Sequence, residues 1–192
     1  TKGLPAGVYV HTVREDTDRQ GLLFAGTERG AFVSFDDGDT WMPLQQNLPA
    51  TSVHSFEIYG NDLVVGTHGR GIWVIEDISP LRQLSDAVLN ADAYLFKPAD
   101  AINVMQGSDN GTPMQKDEPQ TANPPSGAAI DYYLKANATG IVTLEIAGAN
   151  GTTLQTFTTA TDAQGGAGAG RGGGRGGGSG IPNTSALWRP AP

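Results

Sequence analysis

Three short stretches from the start of the chain return later in the same order. VHTV at 10–13 comes back as VHSF at 53–56, LLFAGT at 22–27 as DLVVGT at 62–67, and RGAFV at 29–33 as RGIWV at 70–74. The offsets are 43, 40 and 41 residues. This feature constrains the fold more than any other, because a repeated unit of a few short strands cannot bury its faces alone and must stack on its neighbours. A period of about 40 residues with three or four strands per unit is the size of one β-propeller blade. Two units do not close a ring, which takes about four to eight. The remaining blades are expected outside this chain or from a partner chain.

Residue types within the repeat agree with that reading. VYVHTV, LLFAGT, GAFVSF, VHSFEI, DLVVGT and GIWVIE are short runs rich in β-branched and aromatic residues, separated by turn-formers. No helix-length periodic segment interrupts them, so successive strands are expected to pair as hairpins. Residues 80–90 (PLRQLSDAVLN) suit a short helix or a last outer strand. A domain boundary is expected near residue 90. The span 91–127 reads as a linker and long loop, polar and proline-rich from 107 onward. Residues 128–192 read as a small β-sandwich. AIDYYLKA, GIVTLEIA and TTLQTFTT are its expected strands, Val142, Leu144 and Ile146 share one face, and Asn150 with Gly151 supplies a hairpin turn. The run AQGGAGAGRGGGRGGGSG at 163–180 has no side chains to bury and is expected to be a disordered loop, after which residues 183–189 return as a strand carrying Trp188.

Composition narrows the function classes. A formal net charge of −8 over 192 residues argues against a nucleic-acid surface. Arg171 and Arg175 in the glycine run faintly suggest an RNA-binding RGG segment, but two arginines in an acidic chain exert little pull on phosphate. Cysteine is absent, which removes disulfide and thiol chemistry. No apolar run reaches the length of a membrane span. The chain opens on TKGLPAG, with neither a start methionine nor a signal peptide, and is read as part of something longer.

SFDDGDTW at 34–41 places three carboxylates beside a hydroxyl, a glycine and a tryptophan. Calcium would want such oxygens, yet the EF-hand spacing is missing and no Glu closes a twelve-residue loop. The segment fits the pattern S-x-D-x-G-x-T-W, with Ser34, Asp36, Gly38, Thr40 and Trp41 at its fixed positions. That pattern is the Asp box of sialidases and related propellers. More broadly, REDTDRQGLLFAGTERGAFVSFDDGDTW, NDLVVGTHGRGIWVIEDISPLRQL and NPPSGAAIDYYL resemble the C-terminal part of bacterial BNR-repeat, sialidase-like proteins labelled glycosyl hydrolases. The resemblance implies an all-β chain: the terminal blades of an Asp-box β-propeller followed by a small β-sandwich, in an extracytoplasmic protein. It also implies that the box is a structural turn between the third and fourth strands of a blade, away from any active site. Short polar side chains bonding turn amides and a glycine free to take positive φ give that role a physical basis. The second unit has IEDIS at 75–79 where the first has the box.

The remaining candidates lie in THGRG at 67–71. Two glycines bracket Arg70, and His68 precedes a turn. His68 and Arg70 are the candidate ligand-binding residues, suited to an anionic or sugar ligand. The plain alternative makes Arg70 a stacking or salt-bridging residue between blades, with Glu76 or Asp77 as candidate partners. His11 and His54 recur at equivalent places in the repeat and are expected to be structural, a hydrogen bond to a neighbouring strand being one such role. With three histidines in the chain, no spacing commits them to zinc, and no metal or cofactor is assigned. Glycosidase chemistry needs two placed carboxylates, or a tyrosine with its base, and sialidases add an arginine cluster. Arg14, Arg29 and Arg70 match no such set, so no catalytic residue is assigned. The expected role is non-catalytic, in ring closure and in binding a glycan or protein. The alternative is a share of a glycoside hydrolase whose main active-site residues lie elsewhere.

Overall fold

The computed structural model describes residues 2–44, 46–101 and 127–159. These residues form mostly short strands in small antiparallel sheets, with two five-residue helices. The first sheet runs β1 (Val10–Glu15), β2 (Leu23–Thr27), β3 (Gly30–Ser34) and β4 (Met42–Pro43), in that spatial order. The second runs β5 (Val53–Tyr59), β6 (Asp62–Thr67) and β7 (Ile72–Ile75). Each strand pairs antiparallel with the next, as tight turns between sequential strands dictate.

Alternation decides which face is buried. In β2 and β3, Phe24, Ala31 and Val33 join Leu22 on the face turned to the second sheet. In β5 and β6, Val53, Phe56, Leu63 and Val65 meet them, and the Phe24 and Phe56 rings lie 6.1 Å apart at 45°. Each such side chain, fully buried, contributes roughly 1.5–3 kcal/mol before entropy is charged against it. The other face of the first sheet is covered differently. Ala25, Phe32 and Trp41 pack there with Leu4 and Leu23. The segment carrying Leu4 is held by bonds from Lys2 to Asp39 and from Trp41 to Lys2.

A polar lock closes one end of the sheet pair. α1 (Ser79–Gln83) carries Arg82, whose Nε donates to both carboxylate oxygens of Asp16 at 2.8 and 2.7 Å. Its Nη1 donates to Asn61 Oδ1 at 2.7 Å and lies 2.8 Å from Asp18, while Nη2 donates to the Gly60 carbonyl at 3.0 Å. The β1–β2 turn, the β5–β6 turn and α1 are therefore tied by one guanidinium. The Asp16 side chain is 0% exposed, and a buried carboxylate is tolerated only when paired and hydrogen-bonded. Beside it, Arg19 donates to the Leu81 carbonyl at 2.6 Å and sits 5.3 Å from the centre of the Phe35 ring. Burial lowers the Arg19 pKa, and the nearby Asp16 charge opposes that shift.

Past this lock, α1 is followed, after a break at Leu84 and Ser85, by α2 (Asp86–Asn90), capped by Ser85, whose hydroxyl accepts from the Val88 amide. β8 (Ala93–Leu95) then pairs with β9 (Tyr132–Leu134) across a long stretch of sequence. Leu84, Val88 and Phe96 form a small core there, with Phe35, Leu89 and Tyr133 packed on it. The expected linker thus begins with a strand, and β9 pairs with β8 instead of joining the hairpin that follows. That hairpin is β10 (Thr143–Ala147) with β11 (Thr153–Thr158), turned at Asn150 and Gly151. Val142, Leu144 and Ile146 do share one half-buried face. The sheets β8–β9 and β10–β11 each have two strands among the described residues. The glycine run at 163–180 and the strand expected at 183–189 lie outside those residues.

Candidate functional site

The end of the sheet pair opposite the Arg82 lock is where the candidate site is built. It begins with two β-bulges. Between β1 and β2 the register passes from Val10↔Thr27 to Thr12↔Gly26, so His11 is left without a partner. Between β5 and β6 it passes from Val53↔Thr67 to Ser55↔Gly66, and His54 is left over in the same way. A bulge redirects the side chain of its extra residue, and bulges concentrate near functional sites.

Glycine permits both bulges. A Cβ on Gly26 would lie 2.6 Å from the Val53 carbonyl oxygen and 2.8 Å from the Thr12 methyl group. One on Gly66 would collide with the Ser55 hydroxyl. Without a side chain at Gly26, β5 comes close against the first sheet. The His11 and His54 rings then stack, centroids 4.3 Å apart and planes 17° from parallel.

The 67–71 turn adds a third ring. The Thr67 hydroxyl donates to the Gly71 carbonyl at 2.6 Å, and the His68 amide donates to the Ser52 carbonyl at 2.9 Å. The first sheet makes the matching bonds, from the Thr27 hydroxyl to Gly30 and from the Glu28 amide to Tyr9. His68 thereby lies against His54, ring centres 5.4 Å apart at 32°. All three histidines of the chain form one exposed ladder. The expected hydrogen bonds from His11 and His54 to neighbouring strands give way to this stacking: among the described residues no ring nitrogen of the three is hydrogen-bonded.

Arg70 occupies the same turn. Its carbonyl accepts from Trp73 Nε1 at 2.9 Å, which fixes the backbone. Its exposed guanidinium has no ion pair or hydrogen bond among the described residues, so the alternative pairing with Glu76 or Asp77 does not form. Arg14 is engaged elsewhere, 2.7 Å from Glu57.

The 34–41 segment is a turn bonded to itself, joining β3 to β4. Ser34 Oγ donates to Asp36 Oδ1 at 2.8 Å and accepts from the Gly38 amide at 2.9 Å. Asp36 accepts from both the amide and the hydroxyl of Thr40. Trp41 Nε1 donates to the Gly38 carbonyl at 3.0 Å, and Gly38 has φ of 87°. The Thr40 hydroxyl, then its amide, hold the Asp36 carboxyl below the usual carboxylate range; partial loss of water opposes them and Ser34 adds to the lowering. Both Asp36 carboxylate oxygens take bonds from within the turn.

One carboxyl moves the other way. Burial, then the Asp77 charge, raises the pKa of Asp131. Among the described residues no group of three or more His, Cys, Asp or Glu is placed to hold a metal ion. In the His11–His54 pair the planes lie 17° apart, so their in-plane lone pairs point side by side, not at one point. Among the described residues no helix is long and apolar enough to cross a membrane.

The residues missed from sequence were His11 and His54 as partners of His68, and Arg82 with Asp16. The recurrence of His11 and His54 in the repeat was the available signal for the first pair. No protein-family model, curated protein or solved structure matches the chain.

Proposed function

We propose that the two sheets are blades of an Asp-box β-propeller and that the chain is a non-catalytic part of an extracytoplasmic protein, serving ring closure and ligand binding at the histidine end. The observation that carries the reading is the shared construction of the sheets. Each has an antiparallel meander, a bulged histidine in its first strand, a glycine opposite the bulge and a threonine-bonded turn after its second strand. Ring closure draws support from the face of β5–β7 turned away from the first sheet. Tyr59, Ile72 and Val74 are 81%, 75% and 51% exposed there, as suits a face awaiting another blade. Asp36 and its neighbours fit the turn role of the box. Binding rests on His68 and Arg70, exposed together in one rigid turn, and the ligand class is a glycan or a protein.

The glycoside hydrolase alternative has one observation in its favour. Burial and the Asp77 charge raise the Asp131 pKa, the direction a general-acid carboxyl needs. Glycan arrays and pull-downs with the parent chain, His68→Ala and Arg70→Ala separate the two. Binding that fails in both variants, with no glycan turned over, is the expected result. Hydrolysis by the parent that disappears on substituting residues of this chain would sink the non-catalytic reading.

A further inference from the structure

We infer that Asn150, in the β10–β11 turn, is a site of spontaneous covalent modification. Its side chain condenses with the Gly151 amide to a cyclic imide, which water opens to aspartate or isoaspartate, and the hairpin sets the rate by holding that amide. The inference is independent of the histidine end and goes beyond the proposed function.

The first ground is the residue pair and its surroundings. Gly151 follows Asn150 directly, and both are exposed. Glycine has no Cβ to obstruct a closing ring. At Gly151 the place where a Cβ would sit has no other atom within 4 Å, so the ring has room and water reaches it. The second ground is the bonding of the turn, which prepares one reactant and restrains the other. The Thr152 amide donates to Asn150 Oδ1 at 3.1 Å, and that bond polarises the side-chain carbonyl towards attack. The Gly151 amide, the nucleophile, donates to the Gly148 carbonyl at 2.9 Å, and this bond holds the proton it must lose. The Gly148 amide closes the turn by donating to the Thr152 carbonyl at 2.8 Å.

The third ground is the weakness of the hairpin. No residue of β10 or β11 is buried, and the first four residues of β11 are exposed. The sheet has two strands among the described residues. A hairpin of that kind opens at small cost in free energy, and each opening frees the Gly151 amide.

The chemistry balances with water as the one co-reactant. A base takes the Gly151 amide proton, the nitrogen bonds to Asn150 Cγ, and the Cγ–Nδ2 bond breaks. Nδ2 leaves as ammonia with a proton returned to it. Water then adds to one of the two imide carbonyls. Cleavage at Cγ leaves aspartate; cleavage at the backbone carbonyl leaves isoaspartate, whose main chain runs through Cβ. Nothing is oxidised or reduced. Either product brings a negative charge into the turn. Isoaspartate also lengthens the turn, and loop length fixes hairpin register.

The test is incubation of the 192-residue chain in warm neutral buffer for several days, folded and in guanidinium chloride. Mass spectrometry with fragmentation follows conversion at Asn150, and isoaspartyl methyltransferase labels the second product. Conversion is expected in both states, at least about tenfold slower in the folded chain. Hydrogen exchange at the Gly151 amide measures the same opening separately, and its protection should match the ratio of the two rates to within about threefold. Asn150→Gln is expected to abolish conversion at that position. Leu144→Ala, which removes a half-buried side chain paired with Phe157, should speed the folded-state reaction at least about threefold. Should that variant open the hairpin altogether, its rate should reach that of the unfolded chain. An unreactive Asn150 in the folded chain, equal rates in the two states, amide protection more than about tenfold out of line with the rate ratio, or the parent rate in Leu144→Ala would overturn the inference.

Discussion

The two ends of the sheet pair both carry clustered polar side chains and treat them in opposite ways. At the α1 end, Arg82 places all of its bonds on Asp16, Asp18, Asn61 and Gly60, inside a boundary that leaves its side chain 11% exposed. At the other end, His11, His54, His68 and Arg70 are exposed, and their donors are not taken up by the described residues. A polar cluster that satisfies itself holds a fold together. One that stays open to water is available to a ligand. The difference also explains why the three aspartates at 36–39, the most chemical-looking part of the sequence, are the wrong place to look: Asp36 is bonded within its own turn.

The comparison can be broken most forcefully at the lock. Arg82→Ala strands the buried Asp16 carboxylate and is expected to cost about 3–5 kcal/mol in urea unfolding. Arg82→Lys should recover only part of that, because an ammonium cannot reproduce the fork. A loss within about 1 kcal/mol would mean that the lock is ornamental.

A smaller effect is expected at the glycines that shape the histidine end. Gly26→Ala drives a methyl group against the Val53 carbonyl, a backbone atom, and should cost on the order of 1–3 kcal/mol. Gly66→Ala meets the Ser55 hydroxyl, which can rotate away, and should cost less. If the two were equal, close approach of β5 would not be the reason for Gly26. In long-range ¹H–¹⁵N spectra of the histidines, Gly26→Ala should weaken the His11–His54 contact and shift both ring signals.

Two pH effects sharpen the contrast between self-satisfied and frustrated carboxyls. The Asp36 pKa is lowered in the folded chain, so its contribution is present above the unfolded carboxylate pKa and is lost as pH falls through the folded value. Thr40→Val should remove most of that acid dependence and cost about 0.5–1.5 kcal/mol near neutrality. The Asp131 pKa is raised, so folding takes up a proton there, and its favourable share fades as pH rises through the folded value. Asp131→Asn should therefore stabilise the chain near neutral pH and lose that advantage in acid, as thermal melts across the range would show. The smallest effect belongs to Arg14→Ala. Its pair with Glu57 is exposed on both sides and should contribute about 0–1 kcal/mol, falling with salt.

Much of the sheet pair was legible from sequence because alternation and turn residues are local signals. Six of the β-rich runs coincide with β1–β3 and β5–β7 to within a residue or two. The 34–41 turn was legible because its side-chain bonds fall within four residues of one another. The lock was not, since Arg82 and Asp16 are 66 residues apart and neither residue type announces the other. The ladder was half legible. His11 and His54 recur in the repeat, but a bulge is a property of register, and no residue type encodes that two extra residues will meet across two sheets. The β8–β9 pairing was hidden for the same reason, by the long stretch of chain between its strands.

The most direct measurement compares the unfolding free energy of His54→Gln with that of Arg82→Ala in one buffer at neutral pH. The account predicts that His54→Gln stays within about 1 kcal/mol of the parent chain, as an exposed ring should, while Arg82→Ala loses several times as much. A His54→Gln loss as large as that of Arg82→Ala would put the histidine ladder among the devices that hold the fold, and would contradict the assignment of binding to that end.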